Sequence, residues 1–289
     1  MKGERQAHEV AVFGIGADSP VIAASAREAA ATALEKARVS ATPIEPLTET
    51  WPGFDVDDAY AVQAILIDRR RSAGASVVGW KVGLTSLAMQ RQLGVEEPDF
   101  APLLDRMAIA PGDGIACGAL IAPRIEVELG FRLREGLRGP GVGVDSVAAA
   151  VGSLFPAFEI VDSRVADWRV ELADTIADQA SAAGFIVGAE VPLSAVDIRA
   201  VTVSVLKNDE LVEEGVGSAV LGDPLAAVAW LANAIAAHGQ ALLPDQVILA
   251  GALHASVPIA AGDRIDAVFS DAALGSLVAR CQPSRAEAT

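Results

Sequence analysis

The sequence predicts an α+β fold in which a mixed, curled β-sheet follows a helical N-terminal portion, with residues 1–75 packed on a sheet domain over 76–289. Three observations predict it. Of the 289 residues 52% are apolar and 21% charged, enough to bury a core and too apolar for a disordered chain. Strand-like segments outnumber helix-like ones in the second half. They also fail to alternate regularly with helices, which argues against a doubly wound parallel sheet.

In chain order, residues 25–38 form an Ala-rich helix ended by Thr42-Pro43 and Pro46. Asp55 or Asp57 caps the next helix, whose stripe is Tyr60, Val62, Ile65 and Leu66. Its end carries Arg69-Arg70-Arg71, where cations favour a helix C-terminus, before Gly74 stops it. Residues 77–83 read as a short strand, and 94–114 as a turn-rich stretch. The cleanest strand is 125–133, with Ile125, Val127, Leu129, Phe131 and Leu133 on one face. Asp145 opens a helix to about Leu154, and strands follow at 158–162, 185–187, 201–206 and 246–249. Asp223-Pro224 starts a helix that runs through Trp230 and Ile235 to His238-Gly239. Residues 264–269 read as the final strand, while Gly215-Val216-Gly217 and Gly251 read as turns.

Charge narrows the function. With 38 acidic and 22 basic residues the formal net charge is −16, which repels phosphate backbones and anionic lipid and argues against nucleic-acid and membrane partners. No run of about 18 uncharged apolar residues suggests a span, and residues 10–13 are too short an apolar run for a secretory signal. The two cysteines, Cys117 and Cys281, read as reduced thiols of a cytoplasmic protein. Most of the acids read as a solvated surface, and a few as candidates to hold a cation.

Four segments carry possible chemistry. In Pro123-Arg124-Ile125-Glu126-Val127-Glu128-Leu129, strand spacing puts Glu126 and Glu128 on one face. Two adjacent like charges repel, and Mg²⁺ or Mn²⁺ would relieve them, as would plain solvation. Glu159 sits among apolar residues, where a metal or a pair with Arg164 would each explain it. Lys81, between Gly79 and Gly83, reads as a ligand-facing lysine, with its pKa lowered by burial beside a cation, or as a snorkelling surface residue. Residues 174–181 suit a pocket wall or a loop. The histidines, His8, His238 and His254, are too scattered for a zinc triad or a His-based nucleophile, and only His254 stands as a pocket candidate. The glycines of 139–143 lack the strand-before, helix-after context of a dinucleotide site.

In this order the segments resemble the 2-keto-4-pentenoate hydratase / 4-oxalocrotonate decarboxylase family, within the fumarylacetoacetate hydrolase superfamily. The matching stretches are Asp58-Ala59-Tyr60-Ala61-Val62-Gln63, Gly79-Trp80-Lys81-Val82-Gly83-Leu84-Thr85-Ser86, Leu93-Gly94-Val95 and Pro98-Asp99-Phe100. They continue through 123–129, 156–164, 174–181, 223–233 and 248–253, so the resemblance spans about 45–275. It implies a mixed β-roll catalytic fold like the superfamily's C-terminal domain, and Mg²⁺ or Mn²⁺ on Glu126, Glu128 and Glu159. It also implies catalytic roles for Lys81, Asp99 and Ser181, substrate contacts from Leu84, Thr85 and His254, and a homo-oligomer. The implied reaction is hydration of a 2-hydroxy-2,4-dienoate to a 4-hydroxy-2-oxo acid in aromatic-compound catabolism. Decarboxylation of a 4-oxalocrotonate-type diacid, or service as a non-catalytic partner subunit, are the rivals. The chain departs from the pattern at Gln179 (usually Asn), Ala101 (often Gly) and His254 (commonly Thr), and in a longer N-terminal segment.

Overall fold

The structure, a computed structural model, describes residues 22–86, 90, 95 and 97–283; His8, Leu93, Gly94 and the apolar run 10–13 lie outside the described residues. Helix α1 (Ala24–Ser40) closes on Ala41, whose φ of 47° turns the chain and whose N–H returns to Ala37. A single turn, α2 (Leu47–Thr50), leads to α3 (Val56–Ser72). Asp55 is the cap of α3, its carboxylate accepting from the Asp58 N–H at 2.9 Å. Arg27 on α1 pairs with the fully buried Asp58 on α3 at 2.6 Å, locking the two helices together.

The strands make two sheets. The first contains β1 (Val77–Gly83), β2 (Asp99–Leu104), β4 (Arg124–Leu133), β5 (Val151–Val161), β6 (Ala182–Val187), β9 (Val247–Ala252) and the short β10 (Val257–Pro258). Its order is β2-β1-β9-β4-β5-β6, with β10 beside β4. The second runs β3 (Ile115–Ala116), β12 (Ser276–Gln282), β11 (Arg264–Phe269), β7 (Thr202–Lys207), β8 (Glu210–Val216). Among the described strands β1/β9 and β3/β12 pair in parallel and the other pairs are antiparallel, so both sheets are mixed. The first sheet curls far enough that Ala108, just past β2, bridges Phe185 on β6, with the Ile109 N–H bonded to the Phe185 carbonyl at 2.9 Å. That closure lets side chains from strands far apart in the sheet order meet inside the roll.

Several elements differ from expectation. Helix α4 (Val144–Ala150) stops four residues early, because Val151 to Leu154 are taken by β5 against β4. Part of the turn-rich stretch is the strand β2, all six of whose residues are buried. Gly215 lies in β8 and Gly251 in β9, at close backbone approaches rather than in turns. The final strand is β12, beyond β11. Residues 172–177 form helix α5 (Leu172–Ala177). Helix α6 (Pro224–Ala237) starts as read, with Asp223 accepting from the Leu225 N–H at 2.9 Å. The stretch Gly217–Ala237 is apolar enough in length and composition for a membrane span, but half of it is buried and Leu225, Val228, Leu231 and Ile235 belong to the core.

Candidate active site

Register builds the acidic cage. Glu126 on β4 stands directly opposite Glu159 on β5, and Glu128 follows two residues along on the same face. Oxygens of the three carboxylates lie within 4.8 Å of one another. One Glu128 oxygen accepts from the Gly251 N–H at 2.8 Å. Gly251 has φ +117°, and a Cβ there would fall 2.1 Å from Oγ1 of Thr85, so only glycine can present that amide. The other Glu128 oxygen and one Glu159 oxygen are buried without a hydrogen-bond donor among the described residues, and the second Glu159 oxygen meets only the Lys81 ammonium.

Lys81 on β1 reaches into this cage, its Nζ 3.2 Å from Glu159 and 3.0 Å from the carbonyl of Ala180. Asp99 on β2 sits opposite Gly83 and is buried, with Thr175 on α5 donating to one oxygen at 3.5 Å. Four carboxylates therefore face one ammonium. Burial, then repulsion from Glu159, raises Glu126 to about 7. Burial and the neighbouring glutamates push Glu128 well up, and burial raises Glu159 and Asp99 against the pull of Lys81. For Lys81 itself burial acts downward, but Glu159, Asp99, Glu126 and Glu128 outweigh it and hold the ammonium above its usual range. The carboxylates thus outweigh burial at Lys81, whereas the lowering expected from the sequence belongs to a lysine beside a bound cation. An all-oxygen donor set with orphaned, mutually repelling carboxylates fits a hard divalent cation.

The shell around the cage is cut to hold these groups. The N-terminal helices reach it through Gln63, fully buried on α3, which donates to the carbonyls of Phe100 at 3.2 Å and Ile176 at 2.8 Å and so ties β2 to α5. Next to Asp99, Phe100 stacks on Tyr60 with centroids 4.7 Å apart, and Trp80 and Trp230 tilt against it. The segment before β6 is unusual: Gln179, Ala180 and Ser181 all have positive φ, at 56°, 48° and 56°. Three successive left-handed non-glycine residues are strained and must be held. Gln179 donates to the Pro102 carbonyl at 2.7 Å and accepts from Arg70. Arg164 binds Asp178 through its backbone N–H at 2.8 Å and through its guanidinium, so its carboxylate partner is Asp178 and that of Glu159 is Lys81.

Ser181 is buried at the end of this turn, one residue past the carbonyl that receives Lys81. Leu84, at φ 55°, and the buried Thr85 follow directly on β1, and Thr85 packs on Gly251. His254 is near β4, with Nε2 accepting from the Val127 N–H at 3.0 Å and Nδ1 2.6 Å from the Ala255 carbonyl. Both ring nitrogens are thereby engaged by backbone, and burial lowers the ring's pKa. Sequence reasoning missed the Ala180 carbonyl and the Gly251 amide, and it named Thr175 only within the pocket-wall stretch 174–181. The first two are backbone groups with no residue-type signal.

Similarity agrees with the geometry. The fumarylacetoacetate hydrolase C-terminal family matches residues 80–282. A 2-keto-4-pentenoate hydratase of Paraburkholderia xenovorans (strain LB400) is 43% identical over 239 residues, 82% of this chain and 88% of its own. A 2-hydroxyhexa-2,4-dienoate hydratase of Comamonas testosteroni is 41% identical over 239 residues, 82% of this chain and 90% of its own. The solved 4-oxalocrotonate decarboxylase from Pseudomonas putida G7, complexed with magnesium and adipate, superposes with a TM-score of 0.86 at 37% identity, covering 91% of this chain and 100% of that one. On its match over 80–282 and this closeness to its relatives, the chain belongs to the fumarylacetoacetate hydrolase C-terminal family.

Proposed function

We propose that the protein is a metal-dependent lyase that hydrates a 2-hydroxy-2,4-dienoate to a 4-hydroxy-2-oxo acid, in the breakdown of aromatic-type compounds. The observation that carries this reading is the cage of Glu126, Glu128 and Glu159 with Lys81 Nζ 3.2 Å from Glu159, in a chain 43% identical to a protein named a hydratase. The three glutamates hold Mg²⁺ or Mn²⁺, which supplies positive charge where a 2-oxo acid develops an enolate.

The chain's own groups handle the protons. Ketonisation removes the proton of the 2-hydroxyl and delivers one to the far carbon of the diene. Water then adds across the resulting enone, oxygen to C4 and hydrogen to C3. Two of the three N–H groups of Lys81 are engaged by Glu159 and Ala180, and the third serves the substrate oxygen. Asp99, whose pKa burial raises, acts as acid or base at the substrate carbons. Ser181 places the attacking water. Leu84 and Thr85 line the substrate, and His254, with its ring nitrogens on backbone, shapes the wall behind.

Carboxy-lyase chemistry on a 4-oxalocrotonate-type diacid is the second reading, favoured by the 37% identical decarboxylase whose fold superposes at 0.86. An ultraviolet assay with added Mg²⁺ or Mn²⁺ over 2-hydroxydienoates and their diacid analogues decides. Loss of the dienoate with 4-hydroxy-2-oxo acid as product is expected. Carbon dioxide from the diacid, with the monoacid dienol untouched, would overturn the hydratase reading. Glu126→Ala is expected to abolish metal-dependent turnover, and an unchanged rate with added Mg²⁺ would remove the metal assignment. Calorimetry that detects no Mn²⁺ binding would favour a silent partner subunit. We place the enzyme in the cytoplasm as a homo-oligomer acting on a small 2-oxo acid, without nucleic-acid or membrane partners. The support for assembly is edge strand β8, which exposes Leu211 and Val212, and light scattering reads the state directly.

A further inference from the structure

A cavity of about 640 Å³ that the proposed reaction does not use is lined by Arg70 and Arg164, the side chains that hold the 178–181 turn. Its walls include Arg38, Arg69, Arg70, Arg106 and Arg164, five of the 22 basic residues of a chain with net charge −16. Such a gathering runs against the charge of the whole molecule and calls for a local reason. Arg69 is paired outside the wall with Glu28 at 2.5 Å and Arg164 with Asp178, but the wall carboxylates do not neutralise Arg38, Arg70 and Arg106. Glu35 is shared between Arg38 at 2.6 Å and Arg70 at 3.3 Å. Both oxygens of Asp162 are taken by the backbone N–H groups of Ile121 and Ala122. Arg106 donates to the Ala73 carbonyl at 2.8 Å and has no carboxylate partner among the described residues. Nε of Arg70 is buried without a partner among the described residues. Burial, with Arg38 and Arg164 close by, brings the Arg70 guanidinium down to about 10 despite Glu35, as expected of a cation short of countercharge.

We propose that this cavity is a binding site for a small multivalent oxyanion, a phosphate or a dicarboxylate, held by Arg38, Arg70 and Arg106. Guanidinium forks match both anions, which accept from several N–H groups at once. The site adjoins the catalytic machinery, since Arg70 bonds Gln179 and Arg164 bonds Asp178, the residues leading into the carbonyl that holds Lys81.

The test is calorimetry on the full-length protein in Mg²⁺ buffer, titrated with inorganic phosphate and separately with succinate, each against sodium chloride of matched ionic strength. Saturable binding of either anion is expected, and the anion that binds tells phosphate from dicarboxylate. Arg106→Ala and Arg38→Ala, both at exposed positions, should each weaken it about tenfold or more, while the exposed Arg280→Ala on β12 should not. The absence of saturable binding overturns the proposal, as does equal affinity in all variants, which would put the anion at the metal cage. Self-association abolished by Arg106→Ala, with no anion bound, would assign the arginines to an acidic surface of a second copy and overturn it too. The readout is binding, so it stands or falls independently of which lyase reaction the glutamate cage performs.

Discussion

Gly83 is defined by the space it leaves. A Cβ there would lie 2.1 Å from Oδ1 of Asp99 and 3.3 Å from Nζ of Lys81, so a methyl group forces one of the two proton-handling side chains to move. Misplacement of a catalytic group by about an ångström lowers rates by roughly 10²-fold. Gly83→Ala is therefore expected to reduce kcat by about that factor and to leave Mn²⁺ affinity within about twofold, because the three glutamates sit on other strands. Steady-state kinetics beside Mn²⁺ calorimetry checks this, and parallel loss of both would mean the strand itself had failed. Gly251 is a different case: its positive φ and its contact with Thr85 both exclude a side chain. Gly251→Ala should withdraw the amide from Glu128 and destabilise the fold by several kcal/mol, on the order of 3, read as a fall in the urea midpoint together with weakened metal binding.

At the scale of elements, α6 offers a test that isolates folding from chemistry. Asp223 caps it, and Asp223→Ala should lower stability by about 1 kcal/mol with metal affinity intact; a thermal melt and Mn²⁺ titration suffice. The same cap, with Pro224 behind it, made this helix start readable in the sequence. Strand β4 was readable because Ile125, Val127 and Leu129 alternate with two glutamates, and Glu126 and Glu128 were thereby put on one face. What the alternation could not supply was register, and register alone sets Glu159 opposite Glu126. The family resemblance linked the three, whereas the segment by itself favoured plain solvation over a metal. Strand β2 escaped notice because both its faces are buried and it has no period to see. Strand β12 escaped although its burial alternates, because the exposed Val278 hides the pattern. The Ala180 carbonyl depends on a left-handed turn held by Arg70, Arg164 and Pro102, contacts that no local pattern announces.

For the whole molecule, the cage makes stability depend on pH in an unusual direction. Glu126 rises from an ordinary 4.5 to about 7, Asp178 reaches about 6, and Glu128, Glu159 and Asp99 also move upward. These five groups hold protons more tightly folded than unfolded between about pH 4.5 and 7, and they outnumber His238 and His254, whose lowered pKa values act in the opposite sense. Stability then falls as pH rises through that window. Glu35, Glu190 and Asp263 are shifted downward, and the stability they add is lost only as pH drops through their lowered values, below the window. A divalent ion reverses the trend at the cage, because it binds the ionised carboxylates and cancels their repulsion. The metal-free protein should accordingly show a Tm that declines from about pH 5 to about pH 8. The gain on adding Mg²⁺ or Mn²⁺ should grow over the same range, reaching about 2.7 kcal/mol when free metal is about a hundred times Kd. Melting curves with and without metal across that range measure both trends. A metal-induced gain that stays flat or shrinks with rising pH would mean that the ion binds somewhere other than Glu126, Glu128 and Glu159.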